Sequence, residues 1–194
     1  DNKMTDKTTI TVETLSGIKT LELNVKNDKV ETVKVNMGTP ILLPKYVPVV
    51  SDKDKVVDEP IVIDDKEYRI TCVSMGNPHA ITFIENTDDL EIETIGPKFE
   101  NNPIFPDRVN TEFIQVLDRN TVKMRVWERG SGETFACGTG ACATVVACVL
   151  NGLTDDKVTV KLLGGDLFIE YNREENTVYM TGPAKVSFTG KIEV

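Results

Sequence analysis

One histidine and one tryptophan are all that this chain of 194 residues holds of those two types. No apolar run is long enough to span a bilayer, and no secretory leader pattern stands at the start, which reads Asp1-Asn2-Lys3-Met4. There is no basic cluster. Lys plus Arg is 22 against 31 for Asp plus Glu, a net charge of −9. That balance argues against nucleic acid and against an anionic membrane as partner. The four cysteines, Cys72, Cys137, Cys142 and Cys148, form no CxxC and no secreted-type framework. A reducing cytoplasm with mostly buried thiols is the expectation. Other chemistries are missing their signatures. No glycine cluster completes GxGxxG at a strand-to-helix turn, no GxSxG elbow exists, and no lysine stands in a phosphate-cup context for pyridoxal phosphate. Cys72, His79 and Cys137 match no zinc spacing. Neither a metal nor a cofactor is expected.

What is present is mostly strand. Thr8–Val12, Thr20–Val25 and Val30–Met37 alternate apolar and polar residues, with Gly17 and Asn27-Asp28 as turn signals. Pro40, Pro44 and Pro48 then mark a crossing between structural units. Further strands are predicted at Pro60–Ile63, Glu67–Met75, Ala80–Ile84, Glu112–Asp118, Thr121–Trp127, Lys157–Leu162, Leu167–Tyr171, Thr177–Gly182 and Ala184–Phe188. A short helix is predicted at Asp88–Ile95, ended by Gly96-Pro97. A stronger one runs from about Gly140 to Leu150, capped by Thr139 and stopped by Asn151-Gly152. It carries no charge on any face, so protein must surround it, and a curved sheet wrapped round it is the simplest way.

The chemistry concentrates just before that helix. Cys137-Gly138-Thr139-Gly140-Ala141 puts a thiol in a glycine-rich turn at a helix start. Backbone N–H groups without internal partners and the positive end of the helix dipole meet there. Such a place is expected to lower a thiol's pKa and to hold a carboxylate or phosphate. A buried structural cysteine is the plainer alternative, and four nearby glycines argue against it. His79 follows the turn Met75-Gly76-Asn77-Pro78. A lone histidine is more often structural, but polar groups on fixed turns at strand ends commonly meet ligands. Glu128-Arg129 ends an apolar strand. It reads either as an exposed ion pair or as a carboxylate that moves a proton beside a guanidinium that holds an anion. Asn110 is a turn residue or a ligand contact.

A repeat runs through the chain. Thr11–Gly17 followed by Thr20–Leu23 resembles Thr159–Gly165 followed by Asp166–Glu170. The Cys137 turn and its helix precede the second copy. A counterpart is expected before the first copy, upstream of Asp1.

Taken together, Gly76-Asn77-Pro78-His79, Phe105–Asn110, Trp127–Thr134, Ala136–Ala143 and Met180–Ala184 resemble the diaminopimelate epimerase family, in family order and over nearly the whole chain. Relatives such as proline racemase share only the shorter Cys-Gly-Thr-Gly core. The resemblance implies an α+β fold of two pseudosymmetric lobes, each a β-barrel or curved mixed sheet round a central helix, with the first lobe incomplete here. It divides the chain into 1–37, the remainder of the N-terminal lobe; 38–182, the lobe bearing Cys137; and 183–194, a strand returning to the N-terminal lobe. It implies a cofactor-free, two-thiol, cytoplasmic enzyme, possibly a homodimer, that interconverts LL- and meso-2,6-diaminopimelate for lysine and cell-wall synthesis. By match, Cys137 is one catalytic thiol, with His79 and Glu128 assisting proton transfer. Asn77, Asn110, Glu128, Arg129, Gly138 and Thr139 match substrate-holding positions. The family's other cysteine stretch, Asn-Gly-x-Arg-Cys, has no match in these residues, so two-base turnover is not expected of them. A racemase of another amino acid and a non-catalytic amino-acid-binding module are the alternatives.

Overall fold

The computed structural model describes residues 4–14, 17–186 and 188–192. Its first three strands, β1 (Thr9–Thr14), β2 (Gly17–Lys26) and β3 (Lys29–Gly38), form an antiparallel meander. Asn27 and Asp28 turn β2 into β3 with φ of 51° and 57°, the left-handed pair that matches strand twist in a two-residue hairpin. The last three strands, β10 (Lys157–Leu162), β11 (Gly165–Asn172) and β12 (Thr177–Pro183), form a second meander. Thr9 faces Glu22 and Thr14 faces Gly17 in the first hairpin; Lys157 faces Glu170 and Leu162 faces Gly165 in the second. The sequence repeat is therefore a repeat of hairpin register. β3 pairs antiparallel with β12, so the meanders meet through their third strands in the order β1-β2-β3-β12-β11-β10. That order is the same from either end, a pseudo-twofold arrangement.

From β10 the sheet continues by a parallel pairing to β8 (Thr121–Glu128), then to β7 (Asn110–Asp118), β6 (Pro78–Phe83), β5 (Lys66–Ser74) and β4 (Glu59–Ile63). A short strand, β9 (Gly132–Thr134), pairs with β8. This part of the sheet is covered on both faces. Val73, Ile81, Ile114, Val122, Met124 and Val126 face α2 (Gly138–Leu150), and so do Val158, Val160 and Ile169 of the second meander. Ile61, Ile63, Ile70, Cys72, Ala80, Phe113 and Trp127 face α1 (Ile92–Glu100) with its buried Ile92 and Phe99. Side chains alternate across a strand, so two covered faces bury successive residues, as at Ile70–Ser74 of β5, Pro78–Thr82 of β6 and Asn110–Ile114 of β7. Every residue of α2 from Gly140 to Cys148 is buried, as its charge-free sequence requires. No helix among the described residues is long and apolar enough to cross a membrane.

Three local expectations change. The helix expected at Asp88–Ile95 begins instead at Ile92 and passes through Gly96-Pro97 to Glu100. Gly96 is no terminator: a Cβ there would stand 2.4 Å from the Trp127 indole, so glycine is what lets helix and strand approach. Pro97 forfeits one helical hydrogen bond, and burial of Ile92 and Phe99 offsets that loss. The strand expected at Ala184–Phe188 is not formed. β12 ends at Pro183, Ala184–Val186 and Phe188 are outside strands, and Ser187 lies outside the described residues. The cap of α2 is Cys137 rather than Thr139, and the helix starts at Gly138.

Candidate active site

His79, Asn110 and Glu112 share the face of β6 and β7 that meets α2, because they stand at even spacing from Ile81 and Ile114 on that face. All three are buried at the strand starts. The N-terminus of α2 arrives at the same place. Cys137 caps it, its Sγ accepting a hydrogen bond from the Gly140 N–H at 3.4 Å, with Thr139 Oγ1 at 3.6 Å. His79 Nδ1 lies 2.6 Å from Glu112 Oε1, and its Nε2 lies 3.0 Å from Asn77 Oδ1. With the amide oxygen accepting, Nε2 carries a proton. Nδ1 and Oε1 then share one more, so the pair is neutral overall whichever of the two holds it. One donor atom each from His79, Glu112 and Cys137 fall within 4.8 Å of one another.

Glycine makes this convergence possible. A Cβ on Gly140 would sit 2.5 Å from Glu112 Oε1 and 3.1 Å from Cys137 Sγ. One on Gly138 would sit 3.1 Å from Met180 Sδ of β12. Glycine at these two positions of the first turn of α2 thus admits a carboxylate and a thiol on one side and β12 on the other.

The expected fall in the Cys137 pKa is reversed. Burial pushes the thiol up to about 12, and the Glu112 and Glu128 charges add to the rise. The Thr139 and Gly140 hydrogen bonds oppose it without overcoming it. A helix terminus stabilises a thiolate only as far as solvent loss permits, and here only 7% of Cys137 is exposed. At neutral pH the resting group is a thiol with its proton on.

The remaining expected residues divide. Asn110 pairs in register with His79, and its Oδ1 accepts the Arg129 backbone N–H at 2.9 Å. The Arg129 guanidinium donates to the Asp107 carbonyl at 2.9 Å. Glu128 is half-buried at the end of β8 and accepts from Thr134 Oγ1. Asn77, Gly138 and Thr139 line the partly exposed approach to the buried trio. Cys72 faces the α1 side of the sheet and is not one of the converging groups. A broad groove of about 910 Å³ lies at the far end of β5–β7, lined by Tyr68, Arg69, Phe83 and Val116, and contains none of these residues.

The family model for diaminopimelate epimerase matches residues 71–187. The chain belongs to the diaminopimelate epimerase family. It is 59% identical over 194 residues to the diaminopimelate epimerase of Acetivibrio thermocellus, covering all of this chain and 69% of that protein. It is likewise 59% identical to that of Methanococcus maripaludis, covering all of this chain and 70% of the relative. Among solved structures, a hydroxyproline epimerase from Agrobacterium vitis with bound trans-4-OH-L-proline aligns with a TM-score of 0.68 at 14% identity. That alignment spans 94% of this chain and 58% of the other, and it speaks to fold alone.

In this member of the diaminopimelate epimerase family the sequence reading missed Glu112. In Asn110-Thr111-Glu112-Phe113-Ile114 it looks like the polar tooth of an alternating strand. The signal was parity: Glu112 shares its face with Ile114, a core position, so the carboxylate had to be buried.

Proposed function

We propose that this chain carries one acid–base half of a cofactor-independent inversion at an amino-acid α-carbon, with 2,6-diaminopimelate as substrate. The observation that carries the reading is the convergence of the Cys137 thiol, His79 and Glu112 within 4.8 Å at the start of α2. Inversion removes a weakly acidic proton from one face of the carbon and returns one to the other. Cys137 serves one face. In one direction the resting thiol gives its proton to the carbanion. In the other the thiolate takes the substrate proton, its own having first moved onto the His79–Glu112 pair; Glu112 Oε2, buried and without a partner, is an open acceptor for it. The resulting thiolate stands against a protonated pair, so the buried site stays neutral.

The N–H groups of Gly138 and Thr139 head α2, where the helix dipole stabilises a substrate carboxylate as charge develops. Asn77, Glu128 and Arg129 form the rim that holds the rest of the zwitterion, with the buried Asn110 beneath it seating the Arg129 backbone. Glu128, next to the thiol, discourages a free thiolate between turnovers. Residues 1–37 belong to one lobe, 38–182 to the other, and 183–194 return to the first.

Of the other cysteines, Cys142 and Cys148 are fully buried within α2 and Cys72 in the second core. None supplies the opposite face, so these 194 residues exchange an α-proton without inverting the centre. The test is deuterium wash-in from D2O on diaminopimelate, with chiral analysis of the product. Exchange with retained configuration, lost in Cys137→Ala, is the expected result. Undiminished exchange in that variant refutes the role of the thiol. Binding without exchange makes the chain an amino-acid-binding module instead.

A further inference from the structure

We infer that His79, Glu112 and Cys137 also form a capture site for a thiophilic divalent metal ion of the zinc class, one that locks the thiol when occupied. Imidazole, carboxylate and thiolate are the donor set of zinc and cobalt(II), whereas magnesium and calcium take oxygen ligands alone. The donor atoms lie within 4.8 Å of one another. A tetrahedral ion with bonds of about 2.0–2.3 Å needs its donors about 3–4 Å apart, so capture requires Nδ1 and Oε1, now 2.6 Å apart, to separate. Glu112 has a second, independent mark of a ligand: it is fully buried and its Oε2 has no hydrogen-bond partner. A buried carboxylate oxygen left bare is costly unless something meets it.

Charge selects a dication. One thiolate and one carboxylate balance a charge of +2, so the buried site remains neutral, whereas a monovalent or trivalent ion would leave net charge out of water. Binding exchanges the ion for two protons. The thiol proton leaves Sγ, and the proton shared by Nδ1 and Oε1 leaves for solvent, while Nε2 keeps its proton on Asn77 Oδ1. The second-sphere bond that Nε2–H donates to Asn77 Oδ1 sets the imidazole tautomer that a metal on Nδ1 requires. The other titratable groups acting on the trio are Glu128 from β8, Cys142 from α2 and Cys72 from β5. Glu128 favours the cation, and both cysteines are held protonated by burial. A metal on Sγ blocks proton transfer, yet its capture needs only the resting geometry. The inference therefore stands or falls separately from epimerisation.

Cobalt(II) added to the reduced 194-residue chain is the probe, read by thiolate-to-cobalt charge-transfer absorption, with zinc as competitor. One equivalent should saturate the band and release two protons, and affinity should fall about a hundredfold per unit drop in pH. Cys137→Ser should abolish the band, and Glu112→Gln and His79→Gln should each weaken binding at least about tenfold. No band, a band that survives Cys137→Ser, or undiminished affinity in Glu112→Gln overturns the site. Should a variant fail to fold, zinc protection of the unaltered chain decides: Cys137 alkylation by iodoacetamide, read by peptide mass, should slow with zinc, and equal labelling with and without it overturns the proposal.

Discussion

The two meanders share a register and differ in what lies against them. Ile10, Val12, Leu21 and Leu23 of the first correspond through the hairpins to Val158, Val160, Ile169 and Tyr171 of the second. All four in the second meander are buried; in the first none is, and Val12 is 40% exposed against 0% for Val160. The pattern is the same, so the difference comes from α2, which packs on β10–β12, whereas Met37 is the first-meander residue seen against the cluster that holds α2. Alternation specifies which face of a strand is apolar. It does not specify how much that face contributes, because the contribution follows the area removed from water.

Paired truncations test this most strongly. Ile169→Ala should cost about 3 kcal/mol of stability and its counterpart Leu21→Ala less than about 1 kcal/mol, both read by urea denaturation. Equal costs would erase the contrast. Native-state hydrogen exchange should show the same order, with amides of β10–β12 slower than those of β1–β3. Next comes Gly140→Ala, at the junction of helix and site. Its methyl would displace Glu112 and Cys137, so about 2 kcal/mol of stability and most proton-exchange activity should go together. Activity retained in that variant would show that the carboxylate is not seated where it is described.

Alkali gives a smaller effect. The Cys137 thiol is raised from an ordinary 9.0 to about 12 in the fold. The unfolded chain loses that proton first, so stability falls as pH rises from about 9 towards 12 and is untouched below. The slope is at most about 1.4 kcal/mol per pH unit for this group. Burial raises Cys72, Cys142 and Cys148 in the same sense, so Cys137→Ser should reduce the measured slope only by its own share, and the first meander, which holds no cysteine, should not respond locally. The smallest effect belongs to the seam between the meanders. Lys34 of β3 stands 3.7 Å from Glu170 of β11, and both are partly solvated. Lys34→Ala should cost less than about 0.5 kcal/mol by the same denaturation.

Much of this was legible in the residues. Strand alternation placed β1–β8 and β10–β12 nearly to their ends, and a charge-free stretch before Asn151-Gly152 announced a helix enclosed by sheet. What failed was information that only the third dimension holds. Gly96-Pro97 was read as a stop because the Trp127 indole that requires a glycine there comes from a distant strand. The Cys137 pKa was read downward because local sequence shows a helix start and not the solvent lost around it. Glu112 was not singled out, because parity with Ile114 marks only a shared face, and that this face of β7 is covered by α2 is a property of the sheet. Cys137, His79 and Asn77 stood out from glycine-rich and turn contexts, Gly138 and Thr139 from the resemblance, and the structure brings Cys137, His79 and Asn77 together near the start of α2.

Glu100, on the far side of the sheet, is a buried carboxylate that accepts from Arg108 at 2.9 Å, the Gly130 N–H at 2.9 Å and the Trp127 indole at 2.7 Å. Gly130 adjoins Glu128-Arg129. The loop after Glu128-Arg129 is thus moored to α1, a helix packed in the other core from α2 and Cys137. Repacking α1 would loosen that mooring from behind, and an inhibitor wedged beneath it could disarm the enzyme without competing for the amino acid.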